Sequence, residues 1–451
     1  MIGRDLGLVR FLRDLPAGVL PLFVAKLVMT TGTFVLPFLS LYLSQALGLD
    51  AGTTGLVLGL VTAGSLAGAM AGGYLADHRG RKKTLLLALL VCAAFTCAVP
   101  FVTHVALVVA LLMVASFALA AEDPAFNALV GDLTEERGRR GAYSLIYVGF
   151  NVGFALGPLL ASFLYERALT LLFVGDAAAT AMAAGLVFFF VRERWVPPVR
   201  ATAAPAAPVR ARGLLPPGFF ARNGTLILFC LVYIAHPFVY AQTNFALPLF
   251  LRETHPLHGV RLYGVMMAVN GVAVVALTPL VTLATRRLKA TFCLAAGLGF
   301  YVLGFGMFAW VSSVPWLVLA VLLWSAGEIL NNTNARAFIA DQAPPAYRGR
   351  FNTLLSIVHE AGYAASYSAV GVAMGRWSFG RVWAALGAVA ALGSGLMLLL
   401  RPTDHRAVAP AVPGGSAPEP AAGGLDEGAD HVHQAQAAGG GGLHEAGVRG
   451  E

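Results

Sequence analysis

The amino-acid sequence predicts an all-α integral membrane protein with twelve transmembrane helices, six on each side of a central break. Three observations lead there. Of the 451 residues, 58% are hydrophobic and only 12% charged, whereas soluble domains carry about 25% charged residues. A soluble chain of this length would need polar surface for two or three domains, and the charge to cover it is missing. Apolar runs of roughly 20 residues, each able to cross a ~30 Å hydrocarbon core as a helix, recur along the chain. Basic residues collect in alternate connecting segments, as in multi-span proteins.

The spans fall at 16–44, 53–76, 84–103, 105–131, 142–165 and 168–191, then at 223–251, 262–284, 290–311, 314–340, 352–374 and 380–400. The first is too long for the apolar core of a signal peptide and no convincing cleavage site follows it, so it counts as a helix. The stretch ERWVPPVRATAAPAAPVRARGLLPPGFF is rich in Pro, Ala and Arg without apolar periodicity, which reads as a linker. The expected organisation is an amino-terminal six-helix bundle (1–192), a cytoplasmic linker (193–222), a carboxyl-terminal six-helix bundle (223–401) and a tail (402–451). The Gly-, Ala- and Pro-rich tail cannot bury a core and is expected to be disordered. Its His431, His433 and His444 are not read as a metal site.

Orientation follows from Lys and Arg. With the amino terminus in the cytoplasm, the inner segments hold Arg4, Arg10, Arg13, Arg79, Arg81, Lys82, Lys83, Arg137, Arg139, Arg140, Arg286, Arg287, Lys289, Arg348 and Arg350. The outer loops hold only Arg167, Arg252, Arg261, Arg376 and Arg381. This places both termini inside, in a plasma membrane. The net charge of +8 is mostly this bias, and with no basic face interleaved with aromatics, no nucleic-acid partner is expected. Cys92, Cys97, Cys230 and Cys293 lie within apolar spans, as small core thiols do.

The halves echo one another after their fourth spans. GDLTEERGRRGAYSL (Gly131–Leu145) and ADQAPPAYRGRFNTL (Ala340–Leu354) each place an Asp seven residues before an Arg: Asp132 to Arg139, and Asp341 to Arg348. Parallel repeats of this kind build transporters around a central site between two bundles.

The densest charge cluster lies between the second and third spans, in GGYLADHRGRKKTLLLALL (Gly72–Leu90). It resembles the signature loop of the major facilitator superfamily, G-x-L-A-D-x-x-G-R-[RK], through Gly73, Leu75, Ala76, Asp77, Gly80, Arg81 and Lys82. The resemblance covers about residues 15–400 and implies two pseudo-symmetric six-helix bundles that rock around a central cavity. Gly73 is expected to let helices approach and Gly80 to permit a tight turn. The resemblance further implies that Asp77 latches onto the positive start of the eleventh span, near Phe351, and that Arg81 pairs with Asp132. The matching loop of the second half, PLVTLATRRLKA, has no Asp, so the latch is one-sided. The fifth span, GFNVGFALGPLLAS, carries Gly149, Gly153, Gly157 and Pro158 and resembles the antiporter motif of drug exporters, with Ala161 and Ser162 where the motif has glycines. The spacing equally suits ordinary helix packing. The exporters' arginine of the fourth span is missing, with Ser116 near its place.

Ionisable residues inside spans are functional candidates, since one charge at a helix centre costs roughly 2.5–3.5 kcal/mol on the insertion scale. Glu328 lies mid-span, and Asn332 and Arg336 follow at four-residue intervals on one helix face. In the first half the candidates are Lys26, which shares a face with Thr30 and Thr33, and Glu122 with Asp123, next to Pro124. A lysine buried alone is costly to keep charged, so Glu122 or Asp123 is its expected partner. Asp176 reads as an interfacial residue. Proton coupling is therefore assigned to Glu328, Glu122, Asp123 and Lys26. The cavity wall is expected from Tyr143, Tyr147 and Asn151 on span five, His359 and Tyr363 with Tyr367 and Glu360 on span eleven, and Tyr233, His236 and Tyr240 on span seven. Such rings suit amphipathic or cationic ligands.

No nucleotide-binding loop, H-E-x-x-H pair or nucleophile elbow occurs, so neither ATP-driven transport nor an enzyme is expected, and no cofactor. The expectation is a monomeric secondary transporter that exports small amphipathic or cationic compounds in exchange for protons. The alternatives are a proton-coupled importer and a non-transporting receptor of the same fold.

Overall fold

In the computed structural model the described residues are 16, 18–193, 224–343 and 348–400. Apart from Glu193, the expected linker lies outside them, as does the whole tail from 402. In chain order the long helices are α1 (Val19–Ala46), α2 (Ala51–Arg79), α3 (Arg81–Phe101), α4 (Val105–Leu133), α5 (Glu136–Arg167) and α6 (Leu169–Phe190). They continue as α7 (Gly224–Thr254), α8 (Gly259–Thr285), α9 (Ala290–Met307), α10 (Val314–Gln342), α11 (Arg348–Met374) and α12 (Phe379–Leu399). Eleven are long and apolar enough to cross a membrane. The other, α11, has the length at 27 residues but carries Asn352, His359, Glu360 and several hydroxyls among its apolar positions, the composition of a helix with one wet face.

The first helix of each half is broken. In α1 the helical segments Val19–Thr31 and Val35–Leu41 are separated at Gly32–Phe34, and a π turn closes the helix at Tyr42–Ala46. In α7 the pieces are Gly224–Tyr233, Ala235–Tyr240, a 3₁₀ turn and Ala246–Thr254. Breaks at membrane depth free backbone groups that lipid cannot satisfy, so protein must supply partners. At α1 the partner is Asp176. It is buried and accepts from the backbone N–H of Phe34 (2.9 Å) and of Val35 (3.0 Å). This corrects the interfacial reading of Asp176: it is an interior cap.

Close packing depends on small residues. A Cβ on Gly68 would sit 2.0 Å from the Phe117 carbonyl oxygen, and one on Gly72 2.3 Å from that of Ala121, so α2 lies directly on α4. The contact falls to Gly72 and not to Gly73, where a Cβ would meet nothing nearer than 3.9 Å. One residue is about 100° of helix rotation, enough to turn Gly73 away. Gly80 does make the tight turn between α2 and α3, at φ 100°, a region that favours glycine.

The internal repeat is visible atom by atom. A Cβ on Gly153 of α5 would meet the Thr30 Cβ of α1 at 2.7 Å, and one on Gly362 of α11 would meet Pro237 of α7 at 2.7 Å. Arg139 donates to the Thr134 carbonyl (3.3 Å) at the end of α4, and Arg348 to the Ala343 carbonyl (3.3 Å) at the end of α10. Gly153 and Gly362, Arg139 and Arg348, and Thr134 and Ala343 are each about 209 positions apart.

The buried core divides along its length. At the end away from the signature loop, one continuous cluster runs through both halves, from Phe38, Tyr42 and Phe173 to Tyr263, Phe305 and Trp383. There a Cβ on Gly55 of α2 would lie 2.2 Å from the Tyr367 carbonyl of α11, and one on Gly264 of α8 would lie 2.7 Å from Ser162 of α5. Toward the signature loop the core becomes two clusters, one from α1, α2, α3, α4, α5 and α6 around Leu22 and Phe126, the other from α7, α9, α10, α11 and α12 around Phe229 and Phe338. The halves are joined at one end and separate at the other.

Candidate functional site

The separation leaves a cleft, and several polar residues of the spans lie exposed or half-buried beside it. On α10, Glu328 is half-buried, while Asn332 and Arg336 are exposed. Asn270 of α8 donates to the Glu328 carboxyl at 2.9 Å and to Ser325 at 2.9 Å. The Tyr240 hydroxyl of α7 stands at the same carboxyl. Among the described residues the ion pairs are Lys26–Glu122, Lys26–Asp123, Arg81–Asp132 and Arg261–Glu166. Glu328 belongs to none, so neutral donors hold it.

Around it lies a lattice of rings. His236 is 5.9 Å from Tyr240, 5.5 Å from Tyr301 and 5.9 Å from His359 between centroids, and His359 is 5.0 Å from Tyr363. The sequence therefore placed His236, Tyr240, His359 and Tyr363 on the right elements, and the structure brings all four together. His236 is buried, and neither ring nitrogen makes a hydrogen bond of good geometry, although Asn332 lies beside it. Tyr301 of α9 has its hydroxyl buried without a partner.

The other wall is charged. Lys26 reaches Glu122 at 3.2 Å and Asp123 at 2.9 Å, so it takes both acids where one was expected. Its ammonium also lies 5.0 Å from the Phe126 ring centroid. Lys26 and Glu122 are buried, but the Asp123 side chain is 66% exposed, toward the cleft. Thr30 and Thr33 return their hydroxyls to the α1 carbonyls of Lys26 and Met29. Tyr147 is exposed. Asn151 is buried, with its amide on the Tyr147 carbonyl at 2.7 Å. It sits where α5 closes on its neighbours, two residues from the Gly153 contact. Tyr143 bonds the Asn127 carbonyl of α4 at 2.8 Å.

At the signature loop, Arg81 and Asp132 are ion-paired. The Arg81 and Lys82 backbone N–H groups, at the start of α3, donate to the Glu193 carboxylate at 2.7 and 3.2 Å. The Lys82 ammonium donates to the last carbonyls of α6, Phe188 (2.8 Å) and Val191 (2.6 Å). Two helix termini are capped at once, a carboxylate on amides and an ammonium on carbonyls. Asp77 is exposed and enters none of the described ion pairs. Among the described hydrogen bonds and ion pairs, none joins Asp77 to the start of α11.

Asn270, Ser325, Tyr301, Asp176 and Glu193 were not among the sequence candidates. Asn270 and Asp176 were legible in principle, each a lone polar residue in an apolar run. The role of Glu193 was not, because nothing in the chain order says that a residue after α6 reaches the start of α3.

Comparison with known proteins agrees with this architecture. The model of the family described as "Major Facilitator Superfamily" matches residues 22–367. The chain is 24% identical to a Na(+), Li(+), K(+)/H(+) antiporter of Planococcus maritimus, over 84% of this chain and 95% of the relative. It is 26% identical to the 4-hydroxybenzoate transporter PcaK of Pseudomonas aeruginosa, over 83% and 89%. Its fold superposes on a peptide transporter POT crystallised with sulfate, with TM-score 0.73 at 17% identity, over 87% of this chain and 95% of that one. Two repeated halves, a cleft between them, the signature loop and a family match over most of the chain agree: this protein belongs to the Major Facilitator Superfamily of multi-pass membrane transporters.

Proposed function

We propose that this transporter exports small amphipathic or cationic organic compounds in exchange for protons by alternating access, as a monomer in the plasma membrane with both termini cytoplasmic. The observation that carries the reading is Glu328. It is a carboxyl in the middle of a spanning helix, at the wall of the cleft, bonded to the neutral Asn270 amide and paired with no cation among the described residues. A proton can therefore come and go there without breaking an ion pair, which suits a group that exchanges protons during each cycle. The Lys26–Glu122–Asp123 cluster is the second coupling candidate. The state described here, joined at one end and open at the signature loop, would be the cytoplasm-facing one. Closure would bring the start of α11 to Asp77, while Arg81–Asp132 and the Gly73–Gly80 turn hold the loop in register. The linker 193–222 would let the bundles 1–192 and 223–401 rock as units. The two relatives carry names with different cargoes, one of them a cation/proton antiporter, so the substrate reading rests on this chain's own cavity.

The experiment uses purified full-length protein in liposomes with an interior pH dye, read against protein-free liposomes. Tetraphenylphosphonium, 3-phenylpropanoate, 3-phenylpropanamide and an amino acid are added outside in turn. Antiport predicts that the interior becomes more alkaline with a transported compound, and that Glu328→Gln abolishes the response. Acidification above the protein-free control would make the protein a symporter. A ligand bound but never transported would support the receptor alternative.

A further inference from the structure

The exporter reading leaves open which charge the cargo carries, and one residue of the cleft bears on that. Arg336 stands two turns from Glu328 on the same face of α10, is exposed, and enters none of the described hydrogen bonds or ion pairs. It lies on the helix itself, not in a connecting loop. The helix continues six residues further, to Gln342, which places Arg336 about 9 Å inside the end of α10 at 1.5 Å per residue. Its electrostatic neighbours lie across the cleft and around it: Asp123 of α4, Tyr233 of α7 and His359 of α11.

The other cation of the cleft is not available in this way. Lys26 is buried and held by both Glu122 and Asp123. Arg336 is thus a guanidinium aimed at water inside the transport path, with its forked donors free. A guanidinium of this kind matches a carboxylate in two parallel hydrogen bonds. From His359 the ring lattice leads inward through His236 to Tyr240, with successive centroids 5.9 Å apart. At its far end lies Glu328, about 12 Å along the helix from Arg336 by helix geometry.

We propose that Arg336 is the recognition site for a carboxylate carried by the transported molecule, whose aromatic or apolar body lies against the partly accessible rings of His359 and Tyr240, backed by the buried His236. The inference rests on the exporter reading and replaces its substrate class of amphipathic or cationic compounds with amphipathic monocarboxylates. Asp123, within electrostatic reach of Arg336, repels a multiply charged anion more than a single carboxylate, and the apolar body supplies the rest of the affinity.

The test is a binding measurement on the purified full chain, independent of proton flux. Titration calorimetry compares 3-phenylpropanoate with its neutral isostere 3-phenylpropanamide. The wild type is expected to bind the acid at least ten-fold more tightly than the amide. Arg336→Gln is expected to remove that preference while leaving amide affinity unchanged, and Arg336→Lys to keep part of it, since an ammonium retains charge without the fork. Thermal unfolding of each variant establishes that it is folded, and Arg336→Lys carries the comparison should Arg336→Gln prove unstable. Three results would overturn the inference: no binding of the acid, an amide bound as tightly as the acid, or an acid-to-amide ratio unchanged in both variants. The last, with slower flux of every compound, would make Arg336 a gate that closes on Asp123. Carboxylate binding without proton movement would keep the anion site and remove the antiport reading. Antiport with no acid preference would do the reverse.

Discussion

The two halves place polar groups at matching positions of their first and fourth helices and fill them with different chemistry. In the amino-terminal half, Lys26 of α1 meets Glu122 and Asp123 of α4 in a charged cluster of one base and two acids. About 210 positions on, His236 of α7 lies against Asn332 of α10, beside Asn331, and no ion pair forms. The carboxyl of that half is one turn further in, at Glu328, held by Asn270. One half has a charge network whose members depend on one another. The other has a carboxyl bonded to a neutral amide and in none of the described ion pairs. The repeated backbone thus offers two equivalent sites, one filled by a charge network and the other by a carboxyl held by neutral donors.

The comparison can be broken most forcefully at Lys26. Lys26→Met would leave the buried Glu122 without its cation, and removal of one partner of a buried pair costs about 3–5 kcal/mol. Thermal unfolding in detergent should show it as a large fall in melting temperature, partly reversed by adding Glu122→Gln. Glu328→Gln, by contrast, should unfold near the wild-type temperature, because an amide can still bond Asn270 and Tyr240. Equal losses in the two variants would erase the distinction between the halves.

Asp176→Ala removes the acceptor of two buried N–H groups at the break in α1, a loss of about 1–3 kcal/mol for each group left unsatisfied. No described carboxylate serves the break in α7, so the effect has no counterpart in the other half. The glycine pair sharpens the symmetry itself. Gly153→Ala and Gly362→Ala each force a Cβ to 2.7 Å from a neighbour, and overpacking of this kind costs about 1–3 kcal/mol. Similar destabilisation of both is expected; a variant that is neutral in one half only would show that the halves pack differently.

The smallest effect lies in the loop before α2. Asp50 caps that helix through the Thr53 hydroxyl (2.6 Å) and backbone N–H (3.0 Å), and these bonds hold its carboxyl below the usual aspartate range. A carboxyl with a lowered folded-state pKa contributes stability above its unfolded value, and loses it as pH falls through the folded one. Acidification below the ordinary aspartate range should therefore destabilise the wild type slightly more than Asp50→Asn, as read from melting temperature against pH.

The fold was largely legible because the bilayer imposes a single rule on apolar runs. The twelve helices fall within a few residues of the apolar spans, and they overrun them mainly where polar residues continue a helix past the hydrocarbon, as at Arg79 and Glu136. The breaks in α1 and α7 were not legible: residue types like those of Gly32 and Thr33 in α1, and of Gln242, Thr243 and Asn244 in α7, also occur within unbroken spans. The bonds that hold the breaks, from Phe34 and Val35 to Asp176 and from Gln242 to Ser366, reach distant helices. In the site, periodicity placed Glu328, His236, Tyr240, His359 and Tyr363 on their elements, and α10 does carry its stripe. It could not place Asn270 against Glu328, because that contact depends on how α8 packs on α10. It also assigned the helix contact to Gly73, where one step of helix rotation decides the matter.

The account rests on proton exchange at Glu328, and a paired flux measurement tests it most directly. Proteoliposomes holding wild type, Glu328→Gln or Asp123→Asn are loaded with unlabelled 3-phenylpropanoate and exposed to the labelled compound. Exchange of label is recorded together with interior pH. The account predicts that Glu328→Gln keeps label exchange and loses proton movement, while Asp123→Asn keeps both at reduced rate. Proton movement surviving in Glu328→Gln and vanishing in Asp123→Asn would contradict it, and would place coupling in the charged cluster of the other half.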